Sequence, residues 1–194
     1  MSTFEQTVRG WAGHKVVADP TLRKVVGGLI FVIATSLGAY VSIDLVFTRV
    51  PITLQPLFVI LAGAVLGPRA GAVAMVSYVM LGAAGAPVFS GGRAGFIWLL
   101  GPTGGYLLAY PAAAFVTGLL AGRSQNGLRL FGALTIGMAM IYVGGAAQLW
   151  LLTQQSLNAI MIQAVLPFLP GDLFKIVVAW MTVRSFRSTS FGRG

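Results

Sequence analysis

Apolar and polar positions along this chain fall into long blocks, with neither the strict alternation of a half-buried strand nor the narrow stripe of a soluble surface helix. The first block, Val25 to Val46, exceeds the roughly 20 residues a helix needs to cross a bilayer. It gives way to "VFTRVPITLQP", where Arg49, Pro51 and Pro56 break regularity. Two shorter apolar stretches follow, Leu57–Leu66 and Gly71–Ala84, divided by "GPR" at 67–69. Stretches of about 10–14 residues are often re-entrant or buried in protein, so 57–84 either spans twice or turns back. Both readings return the chain to the side of residue 47. Phe96–Leu120 is interrupted by "GPTGG" and Pro111, and the hydrophilic break "GRSQNGLR" (122–129) precedes Leu130–Leu152. After the more polar "TQQSLNAIMIQ", the block "LPFLPGDLFKIVVAWMTV" closes the series. These six segments predict an all-α integral membrane protein, with six transmembrane helices in one compact bundle over 22–187. Residues 1–21 read as a cytoplasmic lead-in, a surface helix using Phe4, Val8 and Trp11, and 188–194 as a cytoplasmic tail.

Composition strengthens the membrane reading. Of 194 residues, 57% are hydrophobic and only 9% charged, against about 25% charged in soluble domains. The mean hydropathy is +0.87. Charge placement adds an orientation. Ten of the 13 basic residues (Arg9, Lys15, Arg23, Lys24, Arg69, Arg123, Arg129, Arg184, Arg187 and Arg193) fall on one side of the segments, and Arg49, Arg93 and Lys175 on the other. The positive-inside rule therefore predicts both termini in the cytoplasm, with 47–56, 85–95 and the start of the last helix facing out. A net charge of +9 scattered over helix ends is not the contiguous basic face that nucleic acid requires. A polar start of more than twenty residues does not resemble a cleaved secretory signal.

Several kinds of chemistry are excluded. The absence of cysteine removes disulfides, thiolate metal sites and thiol nucleophiles. A lone His14 supports neither a metal cluster nor a catalytic triad, and Glu5 and Asp44 form no carboxylate pair for acid–base work. "GGRAG" is not a phosphate-binding loop of the G-x-x-x-x-G-K-[ST] kind. No enzyme activity, metal or bound cofactor is expected, and any ATP chemistry must come from another protein.

What remains is an outward cluster of polar features: "VPITLQP" (50–56), the glycine-rich loop 85–95 around Arg93, "GPTGGY" (101–106) and "PGDLFK" (170–175). Pro167 and Pro170 are expected to delay the last helix until Gly171 or Asp172. Asp172 and Lys175, three apart, then share a helix face. Asp172 reads either as an N-cap or as a ligand contact, and Lys175 as its partner, as a snorkelling side chain or as a contact of its own. Charges inside membrane segments face the protein interior and mark function. Two cations and a carboxylate around one outward pocket suit a small amphipathic anion, whose carboxylate a guanidinium or ammonium can hold. Phe89, Trp98 and Tyr106 either cover its apolar body or pack the core. On the first helix Ala34, Gly38 and Ser42 form a small-residue stripe, for packing within the protein or for docking a separate subunit.

"VPITLQPL", "GAPVFSGGRAG", "GPTGGYL" and "PGDLFK", in this order from about residue 22 to 185, resemble the BioY family, the biotin-capturing S components of energy-coupling factor (ECF) transporters. The resemblance implies a six-helix fold in a prokaryotic plasma membrane that binds biotin near the outer face and has no ATPase of its own. Its implied partners are an ECF membrane coupling subunit, docked on Ala34, Gly38 and Ser42, and ATP-hydrolysing subunits. The alternative is a solitary facilitator or secondary transporter working without them. It further implies that Asp172 meets the ureido N–H groups while Lys175 or Arg93 holds the carboxylate. Thr53, Gln55, Tyr106, Gly92 and the "GPTGG" backbone are implied to line or cover the ligand. From their glycine, proline and shared side, loops 47–56 and 85–95 are expected to close over it.

Overall fold

The computed structural model describes residues 19–46, 48–122 and 124–191. The lead-in residues Phe4, Val8, Trp11 and His14, and the end of the tail, lie outside them. Helix α1 runs Pro20–Tyr40, and its start follows from local chemistry: the Asp19 carboxylate accepts the Thr21 amide at 2.7 Å and proline fills the first turn. Its end does not follow from hydropathy. The helix stops at Tyr40, short of the predicted Val46, because Ser42–Ile43 (β1) pairs antiparallel with Ile52–Thr53 (β2), Ser42 opposite Thr53. Ser42 therefore stands in a strand and not on the helical stripe. Gly38 is buried inside the bundle: a Cβ there would lie 2.9 Å from the Phe58 ring, and its carbonyl accepts the Leu54 amide at 3.1 Å. Ala34 is half-buried, and the outer face of α1 is made by Leu29, Ile30, Ile33 and Leu37.

Helices α2 (Gln55–Leu66) and α3 (Pro68–Ala83) form a tight hairpin. Gly67 alone turns the chain, at φ 84°, a conformation that side-chain-bearing residues avoid. Short and apolar α2 is the centre of the bundle, packed against four helices besides its hairpin partner α3, with Val59, Ile60 and Ala62 fully buried. The predicted Phe96–Leu120 segment is broken into a 3₁₀ turn at Phe96–Leu99 and helix α4, Gly104–Ala121. Helix α5 (Gly127–Thr153) starts at Asn126, whose side chain accepts the Leu128 and Arg129 amides. The polar connection holds an additional short helix, α6 (Leu157–Ala164), bent by 52° from α7 (Leu169–Phe191). Helix α7 begins earlier than Gly171, since Pro170 fits a first turn, where its missing N–H has no helical acceptor to lose.

By length and composition α1, α4 and α5 can each cross a membrane, and the bent pair α6–α7 can make a fourth span. The all-helical bundle of a multi-pass membrane protein is thus present, with seven described helices where six segments were expected. The two ends of the bundle differ. At one, the Arg187 guanidinium donates to the carbonyls of Ser124 (2.5 Å), Gly122 (2.8 Å) and Ala64 (3.3 Å), and the Trp180 indole donates to Gly127 (2.7 Å). At the other end lie the loops that carry the polar motifs.

Helices α4 and α5 meet backbone to backbone. A Cβ at Gly105 would overlap the Gly144 carbonyl, and one at Gly145 the Tyr106 ring. Small residues at such crossings let helices approach closely in lipid. Gly105→Leu is expected to destabilise the fold by at least about 1–3 kcal/mol through overpacking. Thermal unfolding in detergent checks this beside Gly132→Ala, a site with open space around it that should behave as wild type.

Candidate functional site

One pocket of about 630 Å³, including its open mouth, lies at the end of the bundle where the loops gather. Each wall has a local cause. Strand β2 and the start of α2 supply Thr53 and Gln55. The Thr53 hydroxyl donates to Gln55 Oε1 at 3.1 Å, the Gln55 amide nitrogen donates to the Tyr78 hydroxyl, and that hydroxyl donates to the Val88 carbonyl at 2.7 Å. This chain ties loop 50–56 to the loop after α3.

That second loop is a compact hydrogen-bonded turn. The Phe89 amide donates to the Arg93 carbonyl at 3.0 Å, and the Gly92 amide to Phe89 at 2.9 Å. Gly91 and Gly92, at φ 68° and 74°, allow the reversal that returns Arg93 alongside Phe89. Phe89 fills the space above Gly82, edge-on to Tyr78 at 5.9 Å. The Arg93 guanidinium lies over the Trp98 ring, 4.8 Å from its centroid, a cation–π contact that holds the charge at the pocket wall. Gly92 faces Tyr40 and is not part of the pocket lining. Its role is to shape the turn.

Helix α7 supplies Asp172 and Lys175, each only 4% exposed. The Asp172 amide is already bonded to the Phe168 carbonyl at 2.9 Å, so the residue lies within the helix. Its carboxylate is not a cap. It accepts the Lys175 ammonium at 2.5 Å and the Tyr142 hydroxyl of α5. Among the described residues this is the single ion pair. The lining charges therefore sum to one positive charge, on Arg93, because Lys175 and Asp172 neutralise each other. Tyr106 adds an aromatic wall, anchored by its hydroxyl on the Ala164 carbonyl at 2.7 Å. The "GPTGG" glycines serve the helix contact: Gly104 and Gly105 are buried against Leu99 and α5, and Gln148 holds Leu99 and Gly101 by their carbonyls at 2.8 Å. From this motif Thr103 reaches the pocket.

The sequence matches the BioY family over residues 10–190. The chain belongs to the BioY family. Its relatives include the probable biotin transporter BioY of Pyrococcus horikoshii, 43% identical over 150 residues, covering 77% of this chain and 87% of the relative. The biotin transporter BioY of Thermotoga maritima is 39% identical over 158 residues, covering 81% and 92%. The fold is similar to the crystal structure of the S-component for biotin from an ECF-type ABC transporter, at a TM-score of 0.80 and 24% identity, over 97% of this chain and 95% of that one.

In this BioY-family chain six residues predicted at the site, Asp172, Lys175, Arg93, Thr53, Gln55 and Tyr106, line the same pocket. Sequence reasoning missed three tyrosines, Tyr110 and Tyr142 in the lining and Tyr78 outside it. Tyr142 holds the second Asp172 oxygen, Tyr78 holds Gln55, and Tyr110 lines the pocket with no hydrogen-bond partner for its hydroxyl among the described residues.

Proposed function

We propose that this protein captures biotin in the pocket described above and carries it inward with an ECF-type ATP-driven module. The observation that carries the reading is the charge balance of the pocket. One unneutralised guanidinium stands at an aromatic wall, and a buried carboxylate with spare acceptor capacity stands on α7. A ligand that fits has a carboxylate at one end, an apolar body and polar N–H groups at the other. Biotin has this layout, and relatives at 43% and 39% identity are named as its transporters. In this reading Arg93 holds the valerate carboxylate, since Lys175 is already engaged with Asp172. The ureido N–H groups donate to free lone pairs of Asp172. Tyr106, Phe89 and Trp98 cover the ring body, and Thr53 and Gln55 set the wall opposite.

The topology belongs to the same proposal. The chain crosses a prokaryotic plasma membrane six times, with α2 and α3 as short crossings, α2 buried among its neighbours and α3 exposing Val73, Val76 and Met80. Arg23, Lys24, Arg69, Arg129, Arg184 and Arg187 cluster at helix ends remote from the pocket, which the positive-inside rule assigns to the cytoplasm together with both termini. The membrane domain is 22–187, and the tail from 188 is cytoplasmic. ATP is hydrolysed by partner subunits and no cofactor is held by this chain. A coupling subunit meets the outer face of α1 around Ala34, because Gly38 and Ser42 are engaged within the bundle.

Calorimetric titration of the purified chain with biotin tests the capture step, with an unrelated vitamin as control. Saturable binding near one ligand per chain and at least about tenfold (1.4 kcal/mol) tighter than the control is the expected result. No binding by a chain with an intact unfolding transition would remove the proposal.

A further inference from the structure

A second cavity lies at the opposite, basic end of the bundle, between α1, the start of α3 and the last turns of α4. Its walls are largely apolar, with Val32, Ala74, Phe115 and Leu119 among them. The charged groups concentrate at one end. Lys24 and Arg69 line it there, and no acidic side chain does among the described residues. Neither cation has an ion-pair partner among them, because Asp19, the acidic residue next to α1, caps that helix at Thr21. The N-terminus of α3 opens on the same end without a capping side chain, Gly67 being its N-cap. Its first-turn amides and the positive end of its dipole therefore add to the two cations as an anion site.

The groove also has a defined length. From Thr21 to Val32 on α1, and from Pro68 to Ser77 on α3, it advances about 14–17 Å at about 1.5 Å per residue. That is half of a hydrocarbon core of about 30 Å, the reach of an acyl chain in one leaflet. Gly28 and Ala74 keep the floor thin, since a Cβ at Gly28 would stand 3.8 Å from that of Ala74.

We infer that this groove holds an anionic phospholipid, its phosphate between Lys24, Arg69 and the α3 amides and one acyl chain between α1 and α4. Basic pockets between membrane helices are suited to such headgroups. The site is separate from the biotin pocket and shares no lining residue with it.

The test is native mass spectrometry of the full chain, stripped of lipid in neutral detergent and titrated with dioleoylphosphatidylglycerol or dioleoylphosphatidylcholine. The expected result is at least tenfold stronger retention of phosphatidylglycerol, falling to parity in Lys24→Gln combined with Arg69→Gln. Both replaced side chains are exposed, and unfolding transitions confirm that the variant is folded. Gly28→Leu, which projects into the groove, should weaken retention of both lipids. Millimolar inorganic phosphate should leave retention unchanged. Equal retention of the two lipids by wild type overturns the inference. So does a preference that survives loss of both cations, or one that free phosphate abolishes, which would mean a bare anion site.

Discussion

Asp172→Asn is expected to weaken biotin binding by about 10–150-fold, equivalent to the roughly 1.5–3 kcal/mol of hydrogen bonds to a charged acceptor. The amide keeps the shape of the carboxylate and can still accept from Tyr142, so packing around it is unchanged. What is lost is the negative charge between Lys175 and the ligand. Stability should fall too: removing one partner of a buried pair costs about 3–5 kcal/mol, and both side chains are nearly inaccessible, at 5% and 6% exposure. A double-variant cycle separates the two effects. Lys175→Met alone leaves the Asp172 charge buried with the Tyr142 hydroxyl but no cation, and should destabilise similarly. Asp172→Asn with Lys175→Met removes both charges and should recover much of the lost thermal stability while binding stays weak. Calorimetry and unfolding midpoints in the same detergent give the two readouts. Wild-type affinity in a folded Asp172→Asn chain would reduce Asp172 to a structural partner of Lys175.

The site was legible in the sequence to the extent that its residues are conspicuous in an apolar chain. Asp172 and Lys175 stand out because charge inside membrane segments is costly, Arg93 because it is a lone charge in a glycine-rich loop between apolar runs, and Thr53 and Gln55 because prolines bracket them. Tyr78, Tyr110 and Tyr142 carry no such signal. Each lies inside an apolar helix, where an aromatic residue reads as core, and Tyr142 meets Asp172 across 30 residues of chain. The helix starts at Asp19 and Asn126 follow from capping chemistry, whereas the end of α1 does not. Val41, Ile43, Leu45 and Val46 keep the run largely apolar despite Ser42 and Asp44, so hydropathy continues through it, and only pairing with Ile52–Thr53 turns 42–43 into a strand. Small residues were ambiguous for a related reason. Spacing puts Gly38 on a flat stripe, but whether Phe58 or another protein covers that stripe depends on where α2 packs. The same holds for "GPTGG", which reads as a loop until α5 is seen to press on Gly105.

Arg93→Ala is expected to abolish the preference for biotin over its neutral methyl ester. In wild type the charge-assisted contact should favour the carboxylate by about 1.5–3 kcal/mol, or about 10–150-fold. The ring and ureido contacts remain in the variant, so residual binding should be nearly equal for acid and ester. Arg93→Lys is expected to fall between the two. It restores the charge, but an ammonium lacks the planar fork that grips a carboxylate and stacks on Trp98. The half-buried position of Arg93 adds a second readout, because a partly exposed charge pair is screened by salt. Wild-type affinity for the acid should weaken as ionic strength rises, while affinity for the ester, and that of Arg93→Ala for either ligand, should hardly change. Lys175→Met is the discriminating control. Should that variant lose the acid–ester preference while Arg93→Ala keeps it, the carboxylate sits deep against α7. The ligand would then lie reversed, with its ureido ring under the glycine turn.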